Sequence, residues 1–185
     1  MSGVTGSSAR RSGMSLGKLL AFVVPLVFAV AIGMSVASGL WSAASQQETS
    51  PAPTQLAGYD LDQVMSGQEA ITEIDVLHGE DIPVAEAWVA HYQGNGTVWA
   101  ARATDTEQAA ELLDRMVRGI QKGTSPFSGL AQTRFKGTSV YTVTDGRQSH
   151  FFYQQGDRIV WLATPEGAED AFLSAALEKI SQTAK

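Results

Sequence analysis

Apolar and polar positions fall into three regimes along the chain. Residues 19–40 (LLAFVVPLVFAVAIGMSVASGL) are uncharged throughout, and residues 42–57 show no apolar period. From Tyr59 onward, apolar residues recur at helical or strand spacing. A helix rises about 1.5 Å per residue, so the first regime is long enough to cross a hydrocarbon core of roughly 30 Å. The pattern therefore predicts a Ser- and Gly-rich tail over residues 1–15 and a single transmembrane helix over 16–41. A flexible linker over 42–57, carrying Pro51 and Pro53, and a folded domain over 58–185 complete the expected organisation.

Within the folded part, helical and strand patterns alternate. Asp60 is placed to cap a turn carrying Leu61, Val64 and Met65. Ser66 and Glu69 have the spacing of a capping box, followed by Ile71, Ile74 and Leu77 at helical period and Gly79 as a stop. Residues 84–93 and 97–103 read as strands around the Gly94-Asn95-Gly96 turn. Thr104 and Glu107 form a second capping box. It opens a helix whose Ala109, Leu112, Leu113, Met116, Val117 and Ile120 make one apolar stripe. Residues 122–136 read as a long loop. Three more strands, over 138–144, 148–154 and 158–164, are joined by Asp145-Gly146 and Gln155-Gly156-Asp157. Thr164 with Pro165 then opens a last helix that buries Phe172, Leu173, Ala176, Leu177 and Ile180.

Residues 92–113 (YQGNGTVWAARATDTEQAAELL) echo residues 153–173 (YQQGDRIVWLATPEGAEDAFL). Each has Tyr-Gln, a glycine turn, a Val-Trp strand and an Ala-rich amphipathic helix. The expected fold class is α+β: an antiparallel sheet of about five strands with two main helices (ββα-βββα), behind a short helical lead-in.

Charge then sets orientation. Arg10, Arg11 and Lys18 precede the apolar run, and the next basic residue is Arg102. Retention of positive charge inside places the N-terminus in the cytoplasm and the domain outside the membrane. The run exceeds the apolar length of a signal peptide, so an anchor is expected. The small residues at 36–38 and 42–44 are the features a cleavage site would use. Nine acidic residues and no basic one lie between Glu48 and Glu86, while residues 102–185 carry ten of each sign. With 18 acidic and 10 basic residues over 58–185, the domain is expected to repel nucleic acid. There is no cysteine, so disulfides and thiolate metal sites are excluded.

Candidate chemistry is sparse. Ala29, Gly33 and Ala37 share a helix face on which a second membrane helix can pack closely, for self-association or docking on a membrane complex. Phe127, Arg134, Phe135 and Lys136 in the 122–136 loop make the best contact surface for a partner. His78, His91 and His150 are the candidate metal ligands. His91 and His150 lie an odd number of residues from the echoed tyrosines, hence on corresponding strand faces. Convergence of the two, with Met65 or Met116, would suit copper or zinc. The aromatic strand residues Trp88, Tyr92, Trp99, Phe151, Phe152, Tyr153 and Trp161 would suit haem. No resident cofactor is expected on the main reading. Hydrolase and phosphate-binding motifs are absent from the sequence. The expectation is a single-pass, membrane-anchored protein with an extracytoplasmic binding or accessory domain. A metal or haem carrier using His91 and His150 is the alternative.

Overall fold

The computed structural model describes residues 52–182. The apolar run, its Ala29/Gly33/Ala37 face and most of the expected linker lie outside the described residues. The elements are β1 (Gln55–Leu56), β2 (Tyr59–Ser66), α1 (Gln68–His78), β3 (Glu86–Tyr92), β4 (Gly96–Arg102) and α2 (Thr106–Gln121). They are followed by β5 (Ser128–Phe135), β6 (Thr138–Thr144), β7 (Ser149–Gln155), β8 (Arg158–Ala163) and α3 (Glu169–Gln182). All strands pair antiparallel in one eight-stranded sheet of order β1-β2-β3-β4-β8-β7-β6-β5. The α+β class and the antiparallel sheet agree with the sequence pattern. Strand number does not: eight are present where about five were expected.

Alternation along the strands sorts side chains onto two faces. One face presents Ala87, Val89, Trp99 and Ala101 to α1, and Val143, Phe152, Ile159 and Trp161 to α2. The opposite face presents Trp88, Ala90, Tyr92, Val98, Ala100, Phe151, Tyr153, Val160 and Leu162 to α3. There Phe172 is fully buried, with Tyr59 and Tyr92 edge-on to its ring at 6.2 and 5.8 Å between centroids. The β3–β4 turn sits close to this cluster. Gly94 has φ 72° and Asn95 φ 64°, and a Cβ on Gly94 would come within 2.7 Å of the Tyr59 ring. Glycine there satisfies both the turn and the space.

Several expected elements are corrected, each for a physical reason. Residues 60–65 are strand, not a helical turn. Leu61 and Val64 fall on one face at three-residue spacing because β2 carries a bulge between Leu61 and Gln63, which imitates a helical period. Residues 128–135 are a strand, not part of a loop. β5 lies at the sheet edge, bulges between Ser128 and Ala131, and leaves most side chains exposed, so apolar alternation is missing. Packing also starts inside the expected linker. Ala52 and Leu56 are buried, Tyr92 Oη donates to the Pro53 carbonyl at 2.8 Å, and Lys179 Nζ donates to the Gln55 carbonyl at 2.8 Å.

The helix starts shift as well. Gly67, not Ser66, caps α1, with no side-chain hydrogen bond. Asp105 caps α2 and accepts from the Gln108 N–H at 2.8 Å, while Gln108 Oε1 accepts from the Thr104 N–H at 2.8 Å. The reciprocal pairing is thus displaced one residue from the Thr104/Glu107 spacing. Thr164 is buried and donates to the Ser149 carbonyl at 3.0 Å, and α3 begins only at Glu169.

Truncation of Phe172 to alanine removes a ring enclosed on all sides. Phe172→Ala is expected to lower unfolding free energy by about 3–5 kcal/mol. Val76→Ala, on a side chain 72% exposed, should change it by no more than about 0.5 kcal/mol. Urea denaturation of the two variants beside wild type measures both.

Candidate functional site

Pairing registers build two rows across the α1/α2 face. The first runs Gln132, Tyr141, Phe152, Trp161, Trp99, Val89, Met65, one residue per strand from β5 to β2. Tyr141 stacks on Phe152 (centroids 5.1 Å apart, planes at 14°) and Phe152 stacks on Trp161 (4.7 Å, 8°). The second row runs Val143, His150, Ala163, Thr97, His91.

The second row places the histidines. His91 and His150 share a face, as their odd offsets imply, but β4 and β8 stand between their strands. Three interstrand steps of about 4.8 Å separate their backbones by about 14 Å. Metal–nitrogen bonds are about 2 Å, so no ion is shared without large movement. His91 Nδ1 instead faces Thr97 Oγ1 at 3.2 Å. His78 lies at the end of α1, its Nδ1 2.7 Å from the Ile74 carbonyl. Met65 packs beneath α1 and Met116 projects from α2 onto the sheet, so neither is brought to a histidine pair. Among the described residues, no group of three or more His, Asp or Glu is arranged to hold a metal ion. The seven strand aromatics are likewise divided. Trp99, Phe152 and Trp161 lie on the α1/α2 face, and the other four pack toward α3.

His150 is the most enclosed of the three, 6% exposed. Trp161 Nε1–H donates to its Nδ1 at 3.1 Å, which assigns the neutral ring's proton to Nε2. Among the described residues, Nε2 has no hydrogen-bond partner; Asp145 Oδ2 lies 3.8 Å away, too far for one. The Phe127 ring closes the cage edge-on, 4.9 Å from the imidazole and 4.8 Å from Trp161. Burial pushes the His150 pKa below its ordinary value against the opposing pull of Asp145. For Asp145, burial acts upward. The N–H groups of Arg147 (2.9 Å) and Gln148 (2.8 Å), with the charges of His150 and Arg147, outweigh it and hold the carboxyl below the usual range. Both imidazole nitrogens face protein groups, so this cage presents neither to a molecule in solution. Asp145 went unnoticed as a site residue because Asp145-Gly146 reads as an ordinary hairpin turn.

The four expected partner-contact residues separate into two kinds. Phe127 turns inward onto His150 and Trp161, and Phe135 packs against the α3 core. Arg134 and Lys136 are exposed. Arg134 Nη1 donates to the Gly137 carbonyl at 3.3 Å, and Lys136 Nζ donates to Ser174 Oγ. They sit at one end of β5, whose outer side has no strand beside it among the described residues. Sequence reasoning also missed Gln132, the exposed β5 residue at the end of the aromatic row, because the segment carries no strand pattern. No protein-family model, curated protein or solved structure matches the chain.

The depressed His150 pKa makes stability pH-dependent in a definite sense. As pH falls through about 6.5, the unfolded histidine takes up a proton before the buried one does, so stability drops. The loss stops below the folded pKa, where both states are protonated. Urea midpoints measured every half unit across this window should fall for wild type and stay flatter for His150→Gln. Parallel curves for the two proteins would remove the buried histidine as the cause.

Proposed function

We propose that this chain is a single-pass membrane protein whose N-terminus is cytoplasmic and whose α+β domain is displayed on the extracytoplasmic side as a binding or accessory module. One observation carries the reading. Residues 19–40 form an uncharged run of spanning length, and Arg10, Arg11 and Lys18 lie only on its N-terminal side. The core over the described residues supports it, because a domain with its own core, which includes Ala52 and Leu56, follows the run in sequence. Among the described residues, no helix is long and apolar enough to cross a membrane.

The binding role is favoured over catalysis by how the polar groups are spent. His150 and Asp145 are turned into the sheet, Asp75 Oδ1 accepts from the Ile82 N–H at 2.7 Å, and Glu80 pairs with Arg115 at 2.6 Å. Convergent groups aimed at one point in solution are what an active site needs. The carrier alternative requires His91 and His150 to meet, and their three-strand separation favours the binding reading instead.

Protease added to sealed vesicles tests the topology. In inverted vesicles, with the cytoplasmic face outward, a fragment containing residues 52–182 should survive digestion; in right-side-out vesicles it should be degraded. Degradation in inverted vesicles alone would place the domain with the cytosol and end the proposal.

A further inference from the structure

The two edges of the sheet carry opposite charge. Residues 55–81, which form β1, β2 and α1, include seven acidic residues and no Lys or Arg. Residues 128–155, which form β5, β6 and β7, include Arg134, Lys136 and Arg147 against the single acid Asp145. Asp145 is bonded to two N–H groups of its own turn and pairs with Arg147 at 3.9 Å, which leaves Arg134 and Lys136 as the excess. In a chain of net charge −6, Arg134 and Lys136 at the β5–β6 turn are therefore a local excess of positive charge. Lys122, directly after α2, adds a further exposed cation on the approach to β5.

Backbone geometry makes the same edge a docking surface. Lys136 (φ 48°) and Gly137 (φ 86°) form a two-residue type I′ turn between β5 and β6. In such a hairpin the flanking pair, Phe135 and Thr138, exchanges hydrogen bonds, and bonded and non-bonded pairs then alternate. Thr133 thus bonds inward to Val140. Gln132 and Arg134 point their N–H and C=O groups away from β6, along the outer edge. The bulge at the start of β5 confines the regular edge to about residues 131–135.

We infer that the outer edge of β5 receives an extended, acidic segment of a partner protein as an added antiparallel strand. Main-chain groups of Gln132 and Arg134 supply the ladder, and Arg134 supplies the charge that selects the partner. Among the described residues, one guanidinium hydrogen bond runs to Gly137, which leaves donors for a carboxylate. A second copy of this chain fits less well. Its acidic β2 edge is covered by β1 over Tyr59–Asp60, held by the Leu61 N–H to the Thr54 carbonyl at 2.9 Å, and is broken by the bulge at Asp62. A β5-to-β5 pairing would bring together two edges of the same sign.

This inference rests on the binding-module reading. Its test uses purified full-length chain at equilibrium in phosphatidylcholine nanodiscs, so a failed topology experiment leaves the result unchanged. The probes are alternating Thr-Glu, Thr-Gln and Thr-Lys peptides about ten residues long, a typical upper strand length. The Thr-Glu peptide should bind and slow amide exchange at Gln132 and Arg134, whereas Thr133 and Phe135 are already protected by the β6 ladder. Arg134→Glu/Lys136→Glu should weaken binding by at least about tenfold, roughly 1.4 kcal/mol. Gln132→Pro, which removes one outward donor, should weaken binding with native circular dichroism retained. Equal binding of the Thr-Glu and Thr-Gln peptides, or binding that leaves both amides unprotected, would overturn the proposal. Protection of both amides without peptide, accompanied by self-association in sedimentation, would assign the edge to a second copy and overturn it equally.

Discussion

The pairing of β4 with β8 is the contact on which the rest depends. The two hairpins β3–β4 and β7–β8 are far apart in sequence, and this ladder, from Thr97↔Ala163 to Arg102↔Arg158, makes them one sheet. Its register also sets the faces. A slip of one residue would set Trp99 opposite Val160 or Leu162, so the α1/α2 face of one hairpin would continue into the α3 face of the other. The row that carries His150, Ala163 and Thr97 would break between β8 and β4, whereas the Trp161 bond to the imidazole lies within the β7–β8 hairpin. The two continuous core faces follow from this register, and the histidine cage follows from the β7–β8 ladder beside it.

The sequence echo has a structural meaning within this ladder. Trp99 is opposite Trp161, Val98 opposite Leu162 and Ala100 opposite Val160. The two Val-Trp strands are thus related by a local two-fold axis through the tryptophan pair, perpendicular to the sheet, which keeps faces unchanged. The helices depart from it, since α2 packs on the face of the tryptophans and α3 on the reverse. Three residues connect β4 to α2, whereas the buried Thr164-Pro165 step and Gly167 (φ 75°) precede α3. Obedience to the two-fold would have left Trp88, Tyr92, Phe151 and Tyr153 without α3 over them. Breaking it closes both faces, each burial of a large ring stabilising the domain by about 1.5–3 kcal/mol.

Legibility in the sequence followed the same division between local and long-range order. Strands β3, β4, β6, β7 and β8, and helix α2, were readable because each is held between apolar layers and its period is undisturbed. β2 and β5 were not, because a bulge in each shifts the period and β5 spends few apolar side chains at an edge. The histidine parity was readable too, since alternation fixes which face a residue occupies. Strand order was not: nothing local states that β8 lies between β7 and β4. Convergence of His91 and His150 depended on that missing fact, and so did the recognition that residues 128–135 end the sheet.

The arrangement of charge bears on how a tethered domain would meet a partner. Among the described residues, the N-terminal stretch from Ala52 lies beside β1 on the acidic side, and β5 is the last strand on the other. Seven interstrand steps of about 4.8 Å separate the two edges by about 34 Å along the sheet. A partner strand approaching β5 therefore does not compete with the stretch beside β1. Segregation of sign also blunts the hazard of an open edge, because positive charge there repels another copy's β5 while attracting an acidic segment. On the proposed reading, specificity comes from where charge sits around a generic backbone edge rather than from a sequence motif.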